Sequence, residues 1–169
     1  HDNINGHHVC DGEYYLGTPS RLWSDNSGAF VYTPDGGWMF SDKPEMDVHR
    51  AESVKGGMAF MQHLIILSGK YQNVSWSRKP QDEFVYRALC NYKGKLCIIQ
   101  SESKMRYDDF EKALLAIGVS DALYLDMGDR WNYAWYRDSL GNVEYLFPEN
   151  KTKNIYTTNW ITFRSKSFE

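Results

Sequence analysis

Along most of the chain, short runs of alternating apolar and polar residues are separated by glycine-containing turns, which is the pattern of antiparallel strands. Phe30 to Thr33 and Trp38 to Ser41, joined by Pro34-Asp35-Gly36-Gly37, predict a first hairpin. Leu64 to Leu67, entering Ser68-Gly69-Lys70, predicts a buried strand that ends in a turn. Arg87 to Asn91 and Leu96 to Gln100 predict a second hairpin. The period lengthens once, where Phe110, Leu114 and Ile117 share a helical face behind Asp108 as N-cap, with Glu111 completing a capping box. Gly118 stands at the C-cap position. Ala122 to Leu125 then predicts a buried strand, Trp135 to Arg137 and Val143 to Phe147 a third hairpin, and Tyr156 to Phe163 a last strand. With no repeat, low-complexity tract or break in composition, residues 1–169 are expected to form one α+β domain. Its sheet is mixed but mostly antiparallel, built from hairpins, with one or two packed helices.

Composition narrows the classes. A chain of 169 residues buries roughly 70 % of its unfolded surface on folding, enough for a core without metals or disulfides. Hydrophobic residues are 42 % and charged residues 24 %, which excludes a disordered chain. No apolar run approaches the ~18 residues needed to cross a bilayer. The net charge of −3 gives no electrostatic drive toward nucleic acid. Aromatic residues, at 15 %, are the unusual entry and call for a role beyond ordinary packing.

The three cysteines show no zinc spacing. A two-residue turn at Lys93-Gly94 would set Cys90 opposite Cys97, either bridged or as two buried small residues. The chain begins at His1 rather than Met, which fits removal of a signal peptide. Asn73-Val74-Ser75 and Asn150-Lys151-Thr152 match the glycosylation acceptor pattern.

Candidate chemistry gathers between Arg87 and Arg137. The order strand, turn, strand, helix, strand delivers Asp126 to the C-terminal end of a central strand, where diverging loops leave a crevice. Gly128 would let a ligand approach closely there; the alternative is an aspartate that caps a turn. Trp131, Tyr133 and Trp135, if extended, share a face on which a sugar could stack, or they form an aromatic ladder against the core. A metal-dependent hydrolase would need His7, His49, His63 and Asp126 to converge, and no HExxH-type spacing favours it.

Arg87-Ala88, the Lys93-Gly94-Lys95-Leu96 turn, the helix, and Ala122-Leu123-Tyr124-Leu125-Asp126-Met127-Gly128 together resemble the core of the phosphodiester glycosidase family. That family includes the mannose 6-phosphate uncovering enzyme and many bacterial proteins. Ile4-Asn5-Gly6-His7 is similar to its early Asn-Gly-Gly motif, and Met58 to Lys70, with Gln62, is similar to its middle segment. The resemblance covers nearly the whole chain and implies one or more family strands upstream of His1. Where the family has Asp-Gly-Gly-Gly-Ser, this chain has Asp126-Met127-Gly128-Asp129-Arg130, keeping the acid and one glycine.

The resemblance implies hydrolysis of a sugar phosphodiester by a secreted, periplasmic or cell-surface protein. Arg87 would hold the phosphate with its planar fork, and Asp126 would be the acid/base or electrostatic stabiliser. Glu102 is the preferred second carboxylate, with Asp129 or Asp121 as alternatives. Asn5, Gly6, His7, Gln62, Gly128, Asp129 and Trp131 would line the substrate site, and His7 or His8 could exchange protons near neutral pH. No cofactor is expected; a divalent ion, if bound, would be calcium or magnesium on carboxylates such as Asp126 and Asp129. The alternative function is a non-catalytic carbohydrate-binding protein that uses the aromatic cluster.

Overall fold

The computed structural model describes residues 8–15, 27–43, 45–49, 55–72, 82–125, 134–146 and 161. The chain divides into two compact units, 1–129 and 130–169. In the first, the described strands are β1 (His8–Cys10), β2 (Glu13–Tyr15), β3 (Ser27–Thr33), β4 (Gly37–Ser41), β5 (Met58–Leu67), β6 (Lys70–Tyr71), β7 (Glu83–Phe84), β8 (Arg87–Tyr92), β9 (Lys95–Gln100), β10 (Met105–Arg106) and β11 (Val119–Tyr124). A 3-10 turn spans Met46–His49, and the helix α1 spans Tyr107–Ala116. Every pairing between described strands is antiparallel, so the expected α+β fold of hairpins and a packed helix is the one observed.

The main sheet runs β2-β1-β5-β11-β8-β9, with β3, β4 and β6 branching from β5. The second hairpin has the register that its turn demands: Lys93 and Gly94 take φ of 52° and 76°, the left-handed pair of a two-residue turn. Arg87 therefore faces Gln100 and Cys90 faces Cys97. All three cysteines are free thiols, and burial pushes the Cys90 thiol far above its ordinary value. Asp11-Gly12 makes the same kind of turn between β1 and β2, joining two strands that were not anticipated.

β5 is longer than the Leu64–Leu67 expected, because neighbours hold it on both edges: β3 along Met58–His63 on one, β1 and then β11 on the other. Ala122 faces Ile66 while Leu123 faces Leu64, so Ile65 is an extra residue, a β-bulge. The bulge resets the alternation. Ile65 and Ile66 both enter the core under α1, with Tyr86, Cys90, Phe110, Leu114 and Tyr124. Leu64 and Leu67 join a second core on the opposite face, with Phe30, Leu89, Leu123 and Leu125.

α1 lies over the first of these cores through Phe110 and Leu114, each contributing about 2 kcal/mol by burial. Its N-cap is Arg106, not Asp108, and no side chain caps it; Asp108 falls inside the first turn. Arg106 is paired with Glu83 in a short ladder that runs straight into the helix. Ile117, expected on the buried face, is the exposed C-cap residue, and Gly118 follows at φ 92°.

In the second unit, β12 (Trp135–Arg137) pairs with β13 (Val143–Tyr145), matching the third hairpin. The Asp138 carboxylate organises its turn by accepting from the N–H groups of Leu140 and Asn142, at 2.9 and 2.8 Å. Of the expected strand Tyr156 to Phe163, only Ile161 is among the described residues, and it is exposed.

Candidate functional site at the β1–β11 junction

β1 and β11 occupy the same edge of β5, one after the other. The β1 ladder stops at His8 opposite Phe60, and the β11 ladder stops at Leu123 opposite Leu64. Both strands run antiparallel to β5, so the N-terminal end of β1 points toward the C-terminal end of β11. Met61, Gln62 and His63 span the interval between the two ladders. β11 meanwhile continues along β8: Tyr124 faces Ala88, and the Leu125 N–H donates to the Arg87 carbonyl at 2.9 Å. The sheet thus stays closed between β11 and β8 where the β5–β11 pairing has already ended.

Strand alternation sets which groups share a face here. Val9, Ala59 and Met61 pack together on one side, which puts His8 on the other, cross-strand from Phe60. Phe60, Leu64, Leu89, Leu123 and Leu125 pack on that same side. Gln62, between Phe60 and Leu64 in the alternation, belongs to it, as do Arg87, two residues before Leu89, and its partner Gln100. His8, Gln62 and Arg87 are therefore polar groups on one face, around the interval between the two ladders, beside an apolar floor.

Arg87 is 6 % exposed. Its Nη2 donates to the Gln100 side-chain oxygen. Burial draws the guanidinium below its ordinary range, opposed by the Tyr124 phenol, yet an arginine at this depth stays charged. Tyr86 fixes the backbone beside it. The Tyr86 ring stacks on Phe110 at 5.6 Å, its N–H donates to the Ser101 hydroxyl at 3.0 Å, and its carbonyl accepts from the Ser101 N–H at 2.9 Å. This clasp holds the end of β9 against the start of β8, and Glu102 emerges from it as an exposed residue at the same end as Arg87. Gln62 turns its side-chain oxygen to the His63 N–H, at 2.9 Å.

Of the remaining expected site residues, Asn5, Gly6, His7, Asp126, Gly128, Asp129 and Trp131 lie outside the described residues. The chain position of two groups of them is informative: His7 precedes His8, and Asp126 follows Leu125. Asp121, an alternative second carboxylate, sits at the opposite end of β11, about 13 Å from Leu125 along the strand. It is engaged by Asn91 Nδ2 at 2.9 Å, Ser120 Oγ at 2.8 Å and the Ser68 N–H at 2.9 Å, a structural role.

Of the proposed sugar platform, Trp135 is described; it is exposed, with the Arg137 guanidinium 5.5 Å from its ring. His49 is buried in the 3-10 turn, its Nε2 2.9 Å from the Lys43 carbonyl oxygen. Among the described residues, no three His, Cys, Asp or Glu side chains gather to hold a metal. Sequence reasoning missed Gln100 and Ser101, the two groups that seat Arg87 and its neighbour. Counting outward from Lys93-Gly94 finds Gln100 directly; Ser101 carries no signal beyond its place in the chain.

The chain matches no family model, no curated protein and no solved structure.

Proposed function

We propose that the chain hydrolyses a sugar phosphodiester at the junction of β1 and β11. Arg87 grips two phosphoryl oxygens through its planar fork, which a desolvated, permanently charged guanidinium does well. Asp126 serves as the acid/base or stabilises the positive charge that develops on the sugar ring, with Glu102 as the second carboxylate. Proton transfer to the departing phosphate oxygen and attack by water at the anomeric carbon complete the hydrolysis. The ligand is a carbohydrate or sugar phosphate, met outside the cytoplasm.

One observation carries this reading. The end of β11, which leads into Asp126, and the end of β1, which follows Asn5-Gly6-His7, approach each other across Gln62, with Arg87 bonded to Leu125 on the adjoining strand. A second reading, a carbohydrate-binding protein without catalysis, is favoured by the exposed rings of Trp135 and Tyr136.

Turnover of a sugar 1-phosphodiester by the full chain, by Arg87→Ala and by Asp126→Asn tests the proposal. Loss in both variants, with folding checked by circular dichroism, is the expected outcome. Wild-type rates in both variants overturn it, and binding without turnover in the wild-type chain favours the second reading.

A further inference from the structure

His8, one of two adjacent histidines near the start of the chain, holds a specific position in the sheet. It closes the β1–β5 ladder at the junction, half-buried, with its ring stacked on Tyr15 at 5.0 Å and an interplanar angle of 11°. It lies on the face that carries Gln62 and Arg87. The diagonal from His8 to Gln62 across a ladder of this kind is about 7 Å. Continuing the Leu123–Leu64 register brings Leu125 level with Gln62. Arg87 then stands one strand spacing and two residues away from His8, on the order of 8 to 10 Å between backbones. Side chains that leave one face of a sheet at that separation are within reach of a single phosphate group.

We infer that His8 is the second cation of the anion site: its protonated imidazolium and the Arg87 guanidinium hold the phosphoryl group from opposite sides. This rests on the phosphodiester reading and adds a pH-dependent grip to it. Arg87 is charged throughout, so it supplies a constant attraction. An imidazolium at His8 supplies one that is lost as pH rises and the ring gives up its proton. Two other titratable groups stand close to it on β1 and β2. Its stacking partner Tyr15 donates to Glu13 Oε2 at 2.9 Å, and that bond pushes the phenol above its ordinary value. Cys10, on the same face of β1, is pushed up by burial and then by Asp11 and Glu13. The facing residues of β5, Phe60 and Gln62, carry no charge. Binding of an anion stabilises the protonated form, so the His8 pKa rises in the complex, and affinity is greatest below the free-state pKa.

The probe is dimethyl phosphate, a phosphodiester without a sugar whose single charge is constant between pH 5 and pH 9. Ring resonances of His8, assigned with His8→Phe, are followed by NMR in the full chain as the probe is added. The expected result is a His8 pKa raised by about one unit at saturation, with affinity falling about tenfold from pH 5.5 to pH 8. His8→Phe, which keeps the stack on Tyr15, binds more weakly at low pH and shows no pH dependence. An unmoved His8 titration, or an affinity independent of pH in the wild-type chain, overturns the inference. Sugar-phosphodiester turnover without a His8 response leaves hydrolysis standing and removes His8. A His8 response without turnover does the reverse.

Discussion

The two ends of β11 handle buried polarity in opposite ways. At one end, Asp121 accepts from Asn91, Ser120 and the Ser68 backbone, so its carboxylate is spent inside a closed network that ties β11 to β8 and to the β5–β6 turn. At the other end, a buried guanidinium is seated by the neutral amide of Gln100, beside the interval where β1 and β11 approach each other. The first arrangement is what a sheet does with a polar residue it must satisfy. The second sets a neutral amide against a cation, satisfying one donor of the fork without neutralising it.

Substitutions at the two ends should separate these roles. Arg87→Gln is expected to cost ~100-fold or more in kcat/KM on a sugar 1-phosphodiester, the scale of one lost charged donor to a transition state, while the chain stays folded. Asp121→Asn, assayed in parallel, is expected to keep the wild-type rate. A comparable loss in both variants would erase the contrast.

Gly28, which faces Gln62 on the other edge of β5, tests how rigidly the junction is framed. A Cβ there would stand 2.4 Å from the Ser41 carbonyl oxygen and 2.9 Å from Leu64 Cβ. Gly28→Ala is therefore expected to destabilise the fold by about 3 kcal/mol, read from the denaturant midpoint. Asp121→Ala removes three hydrogen bonds and should cost about 2 kcal/mol in the same measurement.

The smallest effect is a pH dependence under α1. Burial raises the Glu111 carboxyl to about 7, partly offset by the neighbouring Tyr107 phenol. Its folded pKa lies above the unfolded one, so the native state binds more protons between about pH 4.5 and pH 7, and stability falls as pH rises through that window. After discounting for solvent screening this amounts to about 1 kcal/mol, and Glu111→Gln should flatten the profile.

What the sequence made legible follows from how local the determinants are. The hairpin from Arg87 to Gln100 could be placed residue by residue, because Lys93-Gly94 fixes its register and hence every facing pair. That same register put Glu102 at the end of the sheet that carries Arg87. The full length of β5 was not legible. Met58 to His63 lacks a strong strand pattern of its own and is held extended by β3 and β1, partners remote in sequence. The Ile65 bulge depends on a β11 register that no local rule supplies, so the face of Gln62 relative to Leu67 was hidden too. The helix cap was misplaced because Asp108 has a capping side chain, whereas the ladder between Arg106 and Glu83 leads directly into the first turn. The convergence of His8, Gln62 and Arg87 is tertiary, and it appears only when β1 and β11 are laid end to end on β5.

A structure of the full chain soaked with a glucose 1-phosphodiester tests the central claim most directly. The phosphoryl oxygens are expected within hydrogen-bond distance of the Arg87 guanidinium, in the interval between β1 and β11 on the face of Gln62. A ligand seated elsewhere, such as on the exposed rings of β12, with Arg87 still bonded to Gln100 and out of its reach, would contradict it.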